Sequence, residues 1–360
     1  MENQKKPNTK KILLIIGAIV LAVVILVGAA YGFYYKYYAS RITEGDIGTI
    51  KDDSEVMKTP DAYKGDVLNI LICGIDYDVD DEGRDYSNGL GMTDVILYVT
   101  FDLKQNQVSV LQIPRDSFVG EEVLTGGTCK INAVFSNGDN KSSRISNLAK
   151  VINDQYQLPI DRYVTIDMKA FRTIIDTFGG IEMNIPWDIY DDYGNVIEAG
   201  TKKIDGATAE FILRQRHMYN TGDYGRLELQ QYFYSALLRT LLDCPLMDLV
   251  KVAPHWLTYI NTDFDVSELM SLAVNFKNLD MSNIYVVRSP GGGCDYYPST
   301  GKAKQSVFNV NAENLAILLN EHFRPYSEDV SVDELNAPKD LEYPLGQTND
   351  PGRYMGEVNG

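Results

Sequence analysis

VLNILICGI (Val67 to Ile75), DVILYVTF (Asp94 to Phe101) and VSVLQI (Val108 to Ile113) are short, nearly continuous apolar runs rich in branched residues. They read as adjacent strands buried on both faces. The polar LKQNQ before the third run marks a turn. Helical spacing follows: Ile145, Leu148, Val151 and Ile152 lie within Ser142 to Tyr156. Phe171, Ile174, Ile175 and Phe178 repeat it within Met168 to Phe178, before Gly179-Gly180 stops the pattern. Tyr163 to Ile166 and Ile181 to Ile185 are strand-like. Strands alternating with helices predict an α/β protein: a three-layer α/β/α domain around a central mixed sheet.

Outward from that centre, Trp187 to Ile197 reads as a hairpin turning at Tyr193-Gly194-Asn195. Gly225 to Cys244 is a long helix with Leu229, Phe233, Ala236 and Leu237 on one face. Leu249 to Phe323 mixes helix and strand, broken by a flexible Pro290-Gly291-Gly292-Gly293. The domain is expected over residues 66–324, followed at 325–360 by a disordered tail, acidic and without periodicity.

Residues 12–35 form an uncharged apolar run long enough to cross a hydrocarbon core, which needs about 20 residues. The run exceeds the usual signal-peptide core of about 7–15 residues, so it predicts one N-terminal transmembrane helix. Lys5, Lys6, Lys10 and Lys11 put residues 1–11 in the cytoplasm, and the tyrosines near 31–38 suit the outer interface. Residues 36–65 then read as a juxtamembrane stalk, and the domain as extracellular.

A formal net charge of -17 excludes nucleic acid as the bulk partner, so any bound anion must meet a local basic cluster. Cys73, Cys129, Cys244 and Cys294 contain no close pair, which removes zinc knuckles and redox motifs. The densest cationic group is Arg214 and Arg216, followed by Asp223, Arg226 and Gln230. Arg226 and Gln230 share a face of the first turns of the long helix, where free amides and the macrodipole favour an anion. Guanidinium forks match phosphate oxygens, and Asp223 is placed to cap the helix or to help hold a divalent cation with a pyrophosphate. Asp94 begins one strand and Arg115 ends the next, so both fall at a sheet edge, with Asp76 nearby and Lys130 as a further cation. Carboxylates for magnesium and cations for phosphates are what phosphoryl transfer asks of a protein. The competing reading pairs each arginine with the chain's many acidic residues.

GIDYD at 74–78, TDVILYVT at 93–100, IPRDSF at 113–118, KINAVF at 130–135, LPIDRYVTID at 158–167, FGGIEMNIP at 178–186 and RQRHMYNTGDYGRLELQQ at 214–231 occur in this order after the apolar span. Together they resemble the LytR-CpsA-Psr family of bacterial cell-wall proteins. The resemblance implies an α/β fold with an apolar groove for a polyprenyl chain and a polar mouth for its pyrophosphate. It implies magnesium-dependent transfer of glycopolymers, such as teichoic acid or capsule, from the polyprenyl (undecaprenyl) pyrophosphate to peptidoglycan. By position, Asp76 and Asp94 match the metal-associated aspartates, and Arg115, Arg214, Arg216 and Arg226 the pyrophosphate-binding arginines. Asp223 matches the acidic member of the last motif, Gln230 its trailing glutamine, and Lys130 the head-group lysine. Asp94, Arg115 and Asp223 are the catalytic candidates, Asp94 and Asp223 as alternative bases. Met92 stands where the family usually carries an arginine. A non-catalytic lipid-pyrophosphate sensor and a lipid pyrophosphatase are the alternative readings.

Overall fold

The computed structural model describes residues 36, 47–77, 91–140, 143–190, 194–214, 223–249, 257, 259–301, 303–338, 341 and 350–360. The apolar run at 12–35 lies outside them, and among the described residues no helix is long and apolar enough to cross a membrane. β1 (Val67–Asp76), β2 (Met92–Asp102) and β3 (Gln107–Gln112) form an antiparallel meander. Asn106, a residue that tolerates the left-handed region, has φ 55° just before β3. A short helix α1 (Val134–Asn137) and then α2 (Arg144–Tyr156) lead to β4 (Arg162–Asp167), parallel to β1, and α3 (Met168–Thr177). Next come β5 (Ile181–Ile185), the expected hairpin of β6 (Ile189–Tyr190) and β7 (Val196–Ile197), and β8 (Gly200–Ile204), which pairs with β5. The remaining elements are α4 (Gly206–Arg214), α5 (Asp223–Asp243), β9 (Ile260–Thr262), α6 (Val266–Lys277), β10 (Ile284–Arg288), β11 (Gly291–Tyr296), β12 (Gln305–Val310), α7 (Ala312–His322) and β13 (Arg353–Tyr354).

Among the described residues seven strands build one mixed sheet, in the order β13-β10-β3-β2-β1-β4-β9. Its two faces divide β1 residue by residue, as a pleated strand must. Leu71, Cys73 and Ile75 join Ile96, Tyr98 and Leu111 in a close core against Ile145, Leu148 and Ile152 of α2 and Leu315 and Leu319 of α7. Ile70, Ile72 and Gly74 point the other way and, with Val95, Leu97, Val108 and Val110, line a cavity of about 610 Å³. α3, α5 and α6 close that cavity through Phe171, Phe233, Leu237 and Leu269. Helices therefore cover both faces of a mixed sheet, as the strand pattern required.

Three stretches depart from expectation. In place of a free stalk, residues 47–65 pack on the domain: Ile47, Ile50 and Val56 enter the core, and the amides of Ile50 and Lys51 donate to Asp263 at 2.9 and 2.7 Å. Three anchors so widely spaced leave no periodicity to read. The glycines at 291–293 are strand rather than hinge, paired with Asn309 and its neighbours in β12. A Cβ on Gly291 would lie 2.1 Å from the Asn309 carbonyl oxygen, so its glycine serves close approach. The described residues of the C-terminal segment do not form the expected disordered tail: β13 extends the sheet beside β10, and Met355 and Val358 are buried.

Candidate active site

The register of β1 against β2 shifts at the end nearest the predicted site. Gly74 lies opposite Val95, but Ile75 lies opposite Thr93, which leaves Asp94 as the extra residue of a β-bulge. A bulge frees one residue from the ladder and re-aims it. The freed Asp94 carbonyl oxygen accepts a hydrogen bond from Nη2 of Arg226 at 3.1 Å. Its carboxylate takes Nη1 of Arg115 at 2.5 Å, bringing the second strand-end residue to the same place. Asp94 is only 8% exposed and Arg226 2%, so both charges are held away from bulk water, where electrostatic contacts are strong.

Beside this pair, the Asp76 carboxylate at the end of β1 receives Nη2 of Arg214 at 2.9 Å. Arg214 is the last residue of α4, and its Nη1 also contacts Glu210, one turn earlier, at 3.1 Å. Burial opposes the Arg214 charge, yet Asp76, Glu210 and Asp94 together hold its pKa above the ordinary arginine value. Asp76 pairs with Met92, two residues from Asp94, so the two acid–arginine pairs lie at the same end of β1 and β2. Val95 and Leu213 line the cavity, and their chain neighbours Asp94 and Arg214 carry the charges. The polar cluster thus stands at one end of the apolar cavity.

The other candidates are placed less uniformly. Lys130 binds Asp116 at 2.9 Å, beside Arg115 in the chain. Gln230 is fully buried and works within the protein: its Oε1 accepts from the Tyr234 hydroxyl at 3.1 Å, and its Nε2 faces the Leu213 carbonyl oxygen at 3.5 Å. It ties α5 to the end of α4, next to Arg214. Asp223 opens α5 as expected, and nothing is described of its side chain. Arg216 lies outside the described residues. Met92 begins β2 opposite Asp76, is 42% exposed and supplies no charge. Sequence reasoning passed over Glu210, which joins Arg214 to Arg172. Its four-residue spacing from Arg214 on a helix was the available signal.

Three guanidinium groups and two carboxylates therefore meet beside an apolar chamber. Such a site suits an amphiphile with a polyanionic head, because forked donors match phosphate oxygens and the chamber takes the tail. Comparison with known proteins agrees. One relative is the polyisoprenyl-teichoic acid–peptidoglycan teichoic acid transferase TagV of Bacillus subtilis, 26% identical over 326 residues, covering 87% of this chain and 78% of its own. TagU of the same organism is 26% identical over 240 residues, 66% of this chain and 72% of its own. The crystal structure of B. subtilis TagV superposes with a TM-score of 0.57 at 25% identity, covering 72% of this chain and 96% of that one. A LytR-Csp2A-Psr enzyme from Actinomyces oris shares the fold, with a TM-score of 0.55 at 22% identity over 74% of this chain and 93% of its own. Residues 33–322 match the LytR_cpsA_psr family, and the chain belongs to that family.

Proposed function

We propose that this protein transfers a glycopolymer from a polyprenyl pyrophosphate carrier to peptidoglycan, at the outer surface of the membrane in which residues 12–35 anchor it. The observation that carries this reading is the convergence of Arg115, Arg214 and Arg226 with Asp76 and Asp94 at one end of the apolar cavity. The names of TagV and TagU point the same way. In the step envisaged, an acceptor hydroxyl oxygen forms a bond to the glycan-side phosphorus. The bridging P–O bond of the pyrophosphate breaks, and polyprenyl phosphate leaves. Asp94 or Asp223 takes the hydroxyl proton. Arg115, Arg214 and Arg226 stabilise the negative charge that grows on the phosphates, and the cavity holds the departing chain in place.

Asp76 and Asp94 would hold a magnesium ion, which supplies charge neutralisation at the two phosphates when bound. Among the described residues no group of three potential metal ligands occurs, so the substrate's own oxygens would complete the shell. That donor set fits magnesium, which commonly combines one or two carboxylates with phosphates and water. Each aspartate is paired with an arginine here. Binding would exchange partners, the arginines turning to phosphate and the aspartates to the cation.

Full-length protein in detergent, given a prenyl-pyrophosphate oligosaccharide, magnesium and peptidoglycan fragments, is expected to form linked product. Arg115→Ala should slow this about 10²–10³-fold, the usual effect of removing one transition-state donor. Product formed equally fast by that variant, or phosphate released without any acceptor, would overturn the proposal.

A further inference from the structure

The last described segment lies beyond the residues matched to the family, yet it holds the helix that carries Arg226 and Gln230. It meets α5 at Glu228, Gln231, Ser235 and Arg239, spaced three, four and four apart, which is one stripe along about three turns. Arg353 Nη2 lies 3.0 Å from Glu228, and Gln231 Nε2 donates to Asp350 at 3.2 Å. Ser235 Oγ donates to the Val358 carbonyl oxygen at 2.7 Å, and Arg239 Nη1 to that of Gly360, also at 2.7 Å. Arg226, Gln230 and Tyr234 form a different stripe, turned to the site and the cavity.

Asp350 is the centre of the contact. Its side chain is 1% exposed and receives the amide of Arg288 at 3.0 Å and its Nε at 2.8 Å. Burial opposes its ionisation, but Arg288 and Gln231 hold its carboxyl below the ordinary range. Gln231 also donates to Gln112 Oε1 at 2.9 Å, and Gln112 Nε2 donates to the Leu227 carbonyl oxygen at 3.1 Å. Gln112 ends β3, three residues before Arg115. One chain of buried hydrogen bonds therefore runs from the C-terminal segment through α5 to the strand that delivers Arg115.

We propose that residues 350–360 are a strap that sets α5, and with it Arg226 and Gln230, in register with Arg115 and Asp94 for turnover. Asp350 and Arg353 are then positioning residues. The inference rests on the transfer reading above, and its cost follows from geometry, since a displacement of about 1 Å in a reacting array loses on the order of 100-fold in rate.

The test uses full-length protein in detergent, a deletion of residues 350–360, Asp350→Ala and Arg353→Ala. Deletion is expected to lower kcat tenfold or more while KM for the donor moves about threefold or less. A peptide of residues 350–360 added in trans should restore kcat. Trp187 packs edge-on against Tyr232 of α5 with ring centroids 5.8 Å apart, so in a Trp256→Phe background its emission reports helix position without reference to activity. That emission should shift on deletion and return with the peptide. Arg353→Ala removes a partly exposed partner and should lower kcat about threefold with unchanged melting. A folded deletion variant with wild-type kcat and emission would overturn the strap. If the deletion fails to fold, wild-type kcat in Arg353→Ala overturns it instead. If the wild-type protein forms no product, the transfer reading fails, and Trp187 emission alone decides the strap.

Discussion

The two faces of the central sheet have nearly the same composition and opposite fates. On one, Leu71, Cys73 and Ile75 meet α2 and α7 in a filled core; on the other, Ile70, Ile72 and Gly74 meet empty space under α5 and α6. Hydrophobicity dictates that both faces be covered, but only the fit of the covering helices decides whether the cover is solid or hollow. A hollow face forfeits dispersion contacts, so it persists where something else fills it.

The sharpest way to break the comparison is to fill the hollow side. Ala273→Trp, on the α6 wall, should cut transfer and prenyl-pyrophosphate binding at least about 100-fold, while the melting temperature stays within a few degrees, because the added rings occupy existing space. Truncation sharpens the contrast on the stability axis. Leu71→Ala in the filled core should cost about 2–5 kcal/mol by denaturant unfolding, whereas Ile72→Ala, only partly buried on the cavity wall, should cost about half of that. Equal losses at the two positions would mean that the hollow face is packed in solution.

The smallest effect is one of pH. Asp350 secures the strap behind the hollow side, and its carboxyl is held below its ordinary value once burial is outweighed by Arg288 and Gln231. A depressed folded-state value means that the stabilisation is complete above the unfolded value of about 3.9 and fades as pH falls through the folded one. The stability gap between wild type and Asp350→Asn should be flat above about pH 5 and narrow below about pH 4. A gap that instead widens on acidification would contradict the assigned pairing.

Much of this was legible in the residues. Continuous apolar strands announced a sheet covered twice, and strand ends brought Asp94 and Arg115 together as their positions implied. The family motifs, not the periodicity, carried the expectation of a hollow: alternation along β1 is the same whether the far side is filled or open. The bulge that frees Asp94 from the ladder was invisible, since it is a mismatch between two strands rather than a property of either. The strap was missed because two strand residues, one buried carboxylate and a few isolated apolar anchors give no period to detect. Gly291 to Gly293 were misjudged because glycine signals both looseness and close approach, and only the neighbour across the ribbon tells which.

α5 has a geometric consequence of its own. The same rod presents Arg226 near its start and Leu241 near its end, the first beside the charges and the second on the wall of the greasy chamber. Fifteen residues at about 1.5 Å each separate them by about 22 Å. At the C-terminal end of α5, Lys277 Nζ on α6 grips the carbonyl oxygens of Leu242, in the last turn, and Cys244, just past it. Head and tail of any bound amphiphile are therefore measured against a single stiff scale, so the chamber cannot adjust its length at one end without carrying the other with it.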